Sequence, residues 1–156
     1  MSVVTDHLTE RGVPFEAIPH EQAFTSITEA TALGIAADEV AKTLVLRTGD
    51  AHALVVIPGS RRLDLRLAEE ALGDKHAHLA SEEELQRAFP GFELGAFPPL
   101  GALLGGAPVY VDPEVMRHET LVFAAGTQTE SVKVKTEDLF REGQVTVRPL
   151  AQLSQD

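Results

Sequence analysis

The 156-residue chain contains no cysteine, so disulfides and thiolate metal centres are excluded, and a reducing compartment fits. No apolar run approaches the ~18 residues of a spanning helix. The opening "MSVVTDHLTERGVPF" has acidic residues where a secretion signal would carry a basic stretch followed by an apolar one. A cytoplasmic location without membrane attachment is therefore expected. Positive charge is scarce as well: 13 Lys and Arg stand against 24 Asp and Glu, a formal net charge of −11. Broad neutralisation of a nucleic acid is thereby disfavoured, and any such contact must be local, with few phosphates. Internal repeats, low-complexity tracts, the G-x-G-x-x-G and Walker patterns and the G-x-S-x-G nucleophile elbow are all missing, which argues against a doubly wound nucleotide fold and gives no pointer to a serine hydrolase.

What is present is a chain of 44% apolar residues and mean hydropathy −0.01, of a size that supports one sizeable core. A single domain over 1–156 is expected. Residues 3–12 read as a short helix closed by Gly12, and "VPFEAI" as a strand. "TSITEATALG" reads as a helix with a capping box of Ser26 and Glu29. Residues 38–60, "DEVAKTLVLRTGDAHALVVIPGS", read as a helical turn and a β-hairpin about Gly49-Asp50. Helices follow at 63–74, after Ser81, at "PEVM" and at "TEDLFRE". Strands follow at "HAHLA", "VYVD", "TLVFAAG", "SVKVK" and "QVTVRPL". The pattern predicts an α/β (α+β) protein with a mixed sheet and helices packed around it.

Three segments carry candidate chemistry. Lys42 is one of only four lysines and opens an apolar strand between Ala41 and Leu44. A lysine at a core's rim either snorkels to water or forms a fixed charge that grips a carboxylate, phosphate or carbonyl oxygen. In "ELGAFPPLG", Gly95 and Gly101 bracket Pro98-Pro99. This makes a stiff loop that is either a plain connector or a device for aiming backbone N–H groups at a ligand oxygen. "AAGTQTES" joins two strands and offers Gly126, Thr127, Thr129 and Ser131, as a polar hairpin loop or a pocket wall. His76 and His78 lie two apart, but no third ligand has suitable spacing, so neither a metal site nor a cofactor is expected. His20 reads as an exposed loop histidine or as a polar group near a site, and His118 as a surface histidine.

Taken in order, "AFTSITEATALGI…DEVAKTLVL", "ELGAFPPLGALLGGAPVYVD" and "FAAGTQTESVKVKTEDL" resemble the YbaK/ProX family, related to the editing (insertion) domain of bacterial prolyl-tRNA synthetase. The resemblance covers roughly residues 15–140 and rests on Ala41-Lys42-Thr43, on Gly95…Pro99-Leu100-Gly101 and on Ala125-Gly126-Thr127 with Ser131. It implies a partly barrel-like mixed sheet and metal-independent hydrolysis of mischarged aminoacyl-tRNA, acting in trans. The implied substrate is a small amino acid such as Ala, Cys or Ser on tRNA(Pro) or a related tRNA. Lys42 and Gly101 match the family's lysine and loop glycine and are the expected catalytic donors. Thr25, Gly95, Pro99, Gly126, Thr127 and Ser131 are the expected substrate-binding residues. The implied partners are a tRNA acceptor end and a synthetase, with Arg47, Arg61, Arg62, Lys133 and Lys135 as a local basic patch. Many relatives carry serine where this chain has Pro98, which leaves the rejected amino acid open. A non-catalytic module of the same fold, holding a tRNA end, a nucleotide or a synthetase, is the alternative, and a hydrolase of small esters is a third reading.

Overall fold

A computed structural model describes residues 2–141 and 143–152. Its framework is a pair of sheets, each built from strands whose apolar residues face a neighbour. β2 (Ala41–Thr48) and β3 (Ala51–Pro58) form the expected hairpin, with Lys42 opposite Ile57 and Thr48 opposite Ala51. With β4 (His78–Leu79), β5 (Val109–Val111) and β8 (Val145–Val147) they make a five-stranded sheet of order β4-β2-β3-β5-β8. The β3–β5 and β5–β8 pairs are parallel. β3 lies inside this sheet, and its residues alternate between two cores. Leu54 and Val56 belong to one, Val55 and Ile57 to the other. Burial on both faces is why "ALVVIP" reads as an unbroken apolar run.

β1 (Phe15–Pro19), β6 (Thr120–Ala124) and β7 (Glu130–Lys135) form an antiparallel sheet of order β1-β7-β6. The larger core lies between the sheets, where Val45, Leu54, Val56, Val109 and Val111 meet Leu121, Phe123, Val132 and Val134. α1 (Val3–Glu10) contributes Val4 and Leu8 to it. α5 (Pro113–Met116) and α6 (Thr136–Arg141) add Val115 and Leu139. On the other face of the five-stranded sheet, α3 (Leu65–Leu72) and the segment at Leu150 cover Leu46, Val55 and Ile57. α4 (Glu82–Ala88) is capped by the Ser81 side chain, as expected.

The mixed α/β class is as expected. The two sheets touch at a parallel bridge between Val40 and Val122 and do not close into a barrel. Several ends shift. α1 stops at Glu10, and Gly12 takes its left-handed φ of 69° beyond the helix. α3 starts at Leu65, because the Asp64 carboxylate accepts from the N–H groups of Arg66 and Leu67. α2 (Ser26–Leu33) is corrected in a way that matters below. Its cap is Thr25, paired reciprocally with Thr28, whereas Ser26 and Glu29 were the expected pair. Glu29 is left without a capping role. Among the described residues no helix is long and apolar enough to cross a membrane.

Candidate active site

The start of β2 sits beside the N-terminus of α2 because the chain between them is short, with one 3₁₀ turn at Ala37–Glu39. The β3–α3 turn crosses the same edge, since Lys42 pairs with Ile57 at the end of β3. These elements surround a cavity of about 410 Å³. Lys42 and Thr43 line it from β2, Arg61 and Arg62 from the turn, Phe24, Thr25 and Glu29 from the α2 entrance, and Gly95 and Phe97 from the proline loop.

Lys42 is half-buried, and its Nζ donates to the Arg61 carbonyl oxygen at 2.9 Å. Burial holds its pKa below the ordinary lysine value, and the Arg62 charge adds to the effect. The ammonium is thus a fixed and partly dehydrated cation. Thr43 Oγ1 is the one buried side-chain polar atom without a hydrogen-bond partner among the described residues, and it belongs to the same wall. A ligand oxygen or hydroxyl would satisfy it.

The loop glycine that reaches this cavity is Gly95. Its φ is +79°, and a Cβ there would stand 2.4 Å from the Phe24 carbonyl oxygen, so both the backbone angle and the close approach require glycine. The N–H groups of Gly95 and Phe97 donate to no acceptor among the described residues, whereas that of Ala96 is bonded to Glu93. Pro99 and Gly101 lie elsewhere. They line a separate cavity of about 120 Å³ with Leu8, Arg11, Leu139 and Phe140. Lys42 and Gly101, expected in one crevice, line separate cavities: Pro98 and Pro99 are buried, and Gly101 is not in the lining of the Lys42 cavity. Gly101 has a packing reason to be glycine, since a Cβ would lie 2.1 Å from the Ala107 carbonyl oxygen.

The β6–β7 turn supports the proline loop from behind. Gly126 N–H donates to the Ala96 carbonyl, and Glu93 N–H donates to that of Gly126. Gly126, Thr127 and Ser131 do not line the Lys42 cavity. Ser131 is completely buried and touches the cavity only through Glu29, to which its hydroxyl donates. Thr25 lines the cavity, although its hydroxyl is engaged in capping α2. Of the basic patch, Arg61 and Arg62 reach the cavity, while Arg47 pairs with Glu84 at 2.9 Å.

Thr43 enters the sequence reading only within the Ala41-Lys42-Thr43 motif and Glu29 only as an expected capping partner, while Phe24 and Gln128 are not singled out there. Phe24, 61% exposed in the cavity's lining, is an aromatic residue that a core does not absorb. Glu29 is the only acidic residue in that lining. Gln128, buried, fastens the loop: its N–H donates to Glu93 Oε1 at 2.7 Å and its Nε2 to the Leu94 carbonyl at 2.8 Å. No sequence signal separates this glutamine from an ordinary polar turn residue.

Residues 20–142 match the profile of a family described as "Aminoacyl-tRNA editing domain". Over 96 residues the chain is 34% identical to the "Proline--tRNA ligase" of Shouchella clausii, a match covering 62% of this chain but 16% of that one. Over 114 residues it is 29% identical to the "Putative Cys-tRNA(Pro)/Cys-tRNA(Cys) deacylase EbsC" of Enterococcus faecalis, covering 71% and 67%. The solved structure of "a putative trans-editing enzyme for prolyl tRNA synthetase" superposes with a TM-score of 0.82 at 24% identity, over 96% of this chain and 95% of that one.

Proposed function

Because this chain belongs to the aminoacyl-tRNA editing domain family, we propose that it hydrolyses, in trans, the ester joining a wrong amino acid to the terminal adenosine of a tRNA. The observation that carries this reading is the cavity in which the Lys42 ammonium, the Arg61-Arg62 pair and the Gly95 loop converge. Water adds to the ester carbonyl carbon, and the bond to the ribose oxygen then breaks. A free amino acid and a free ribose hydroxyl result. The charge that develops on the carbonyl oxygen is taken up by Lys42 and by the unpartnered N–H groups of Gly95 and Phe97. The ester is already activated relative to an amide, so positioning and charge stabilisation suffice, with bound water or the neighbouring 2′-hydroxyl handling the proton. In this scheme no step calls on a metal.

Thr43 Oγ1 gains its missing partner from a substrate oxygen. Arg61 and Arg62 receive the last phosphates, and exposed Phe24 and Ile27 give the terminal adenine an apolar face. This local footprint reconciles tRNA as substrate with a net charge of −11. The acyl group in this reading is a small one, such as alanyl, cysteinyl or seryl, as the named deacylase relative supports. The similarity to proline--tRNA ligases supports tRNA(Pro) as carrier and a synthetase as partner. The test is amino-acid release from alanyl-, cysteinyl- and seryl-tRNA(Pro) by the native chain and by Lys42→Ala. Release from at least one of them, lost in the variant, is expected. No release across the panel, or equal release by the variant, defeats the proposal; tRNA binding without release would leave a binding module of the same fold.

A further inference from the structure

The chain carries 24 acidic residues, yet among the described residues the cavity lining holds one carboxylate, that of Glu29, alongside Lys42, Arg61 and Arg62. Glu29 is 5% exposed. Its Oε2 accepts from the Ser131 hydroxyl. Among the described residues its Oε1 has no hydrogen-bond partner, and it is not among the sealed, partnerless atoms, of which Thr43 Oγ1 is the one example. That oxygen is therefore not sealed, and Glu29 belongs to the cavity lining.

A wider network positions that carboxyl group. Ser131 Oγ lies 2.8 Å from His20 Nε2, and His20 Nδ1 lies 2.6 Å from the Glu21 carbonyl oxygen. One buried hydroxyl thus bridges His20 and Glu29. Burial raises the Glu29 pKa, and the Ser131 hydrogen bond and the His20 charge act against it. A cation arriving in the cavity favours the ionised carboxylate.

An aminoacyl ester supplies such a cation. Its α-ammonium stands one carbon from the ester carbonyl and is substantially protonated at neutral pH. We propose that Glu29 binds the α-ammonium group of the aminoacyl moiety, with Ser131 and His20 as positioning residues, so that the site selects esters with a free amine over N-acylated ones. This rests on the editing reading for the identity of the substrate. Two contacts of opposite sign, Glu29 on the amine and Lys42 on the carbonyl oxygen, then fix the orientation of the acyl group.

The test measures binding apart from turnover. The probes are 3′-(L-alanylamino)-3′-deoxyadenosine, which cannot be hydrolysed as an ester, and its N-acetyl derivative, titrated by calorimetry. The native chain is expected to favour the free amine tenfold or more. In Glu29→Gln that preference falls to within twofold, through weaker binding of the free amine alone. Ser131→Ala, which leaves the carboxylate but removes its donor, is expected to retain a reduced preference and provides a second variant should the glutamine form not fold. Equal binding of both probes by the native chain, a preference that survives in Glu29→Gln, or no binding of either probe overturns the assignment. Discrimination in binding with no release from any charged tRNA would overturn the deacylase reading and leave Glu29 in place, and release without discrimination would do the reverse.

Discussion

Replacing Lys42 by methionine keeps the length and the apolar stem but removes the charge. In the structure the ammonium makes one hydrogen bond, to the Arg61 carbonyl, and is half-buried at the cavity wall. Loss of one donor to a developing oxyanion lowers kcat by about 10²–10³, or about 2.7–4 kcal/mol. Stability should change far less. A hydrogen bond from a charged donor contributes about 1.5–3 kcal/mol, but burying the ammonium works in the opposite direction, and the thioether stem removes that burden. Single-turnover release from alanyl-tRNA, with urea unfolding measured in parallel, separates the two effects. The expected result is a rate reduced at least a hundredfold in a protein that unfolds at a similar denaturant concentration. A rate within threefold of native refutes the assignment of Lys42 to the reacting oxygen. A lost rate accompanied by lost folding shows a structural lysine instead. The pH dependence adds a check. Burial depresses the pKa, so after subtraction of spontaneous ester hydrolysis the enzymatic rate should begin to fall at a pH below the ordinary lysine value of 10.5. The folded chain holds this proton less tightly than the unfolded chain. Stability should therefore rise with pH between the depressed value and the ordinary one, a rise that Lys42→Met lacks.

Gly95→Ala forces an alanine to φ +79° with its Cβ 2.4 Å from the Phe24 carbonyl. The backbone angle alone costs about 1–2 kcal/mol and the overlap adds to it, so thermal unfolding should shift down by several degrees and release should slow as the loop moves. Asp112, buried, accepts from Glu114, Leu150 and Ala151 N–H groups, each at 2.9 Å. Asp112→Ala leaves two buried donors without partners and is expected to lower unfolding free energy by about 3–5 kcal/mol, with Asp112→Asn losing less. Folded Asp112→Asn should retain native kcat, since Asp112 lies outside the cavity. Arg61→Ala and Arg62→Ala should each flatten the salt dependence of tRNA binding, by about 0.7 in the log–log slope if each meets one phosphate. Burial raises the Glu29 carboxyl, so the folded chain holds that proton more tightly than the unfolded one. The stability attached to it is complete below the ordinary carboxylate value and is lost as pH rises through the raised one. Glu29→Gln should abolish that dependence in urea titrations at stepped pH.

Some of the site was legible in the residues themselves. Lys42 stood out because a lone lysine between Ala41 and Leu44 has no solvated stretch around it, and the structure places it half-buried in the wall of a cavity. The helix at "TSITEATALG" was legible too, but its cap was not. Ser26 with Glu29 and Thr25 with Thr28 are both acceptable capping pairs, and only the chain's entry direction into α2 decides between them. That choice released Glu29 to point inward. Ser131 read as a loop hydroxyl and is instead a fully buried link between His20 and Glu29, residues far from it in the chain.

The order of elements, the hairpin at Gly49-Asp50 and the motif that marks the family follow from the sequence alone, because side-chain period and turn chemistry act over a few neighbouring residues. The tertiary structure alone decided that Gly95 lines the Lys42 cavity while Gly101 packs against Ala107, and that Glu29 shares that lining. Both glycines suit a loop equally well by local rules. Which of them lines the lysine's cavity depends on where the buried Pro98-Pro99 pair sends the chain, and that is set by contacts between segments distant in sequence.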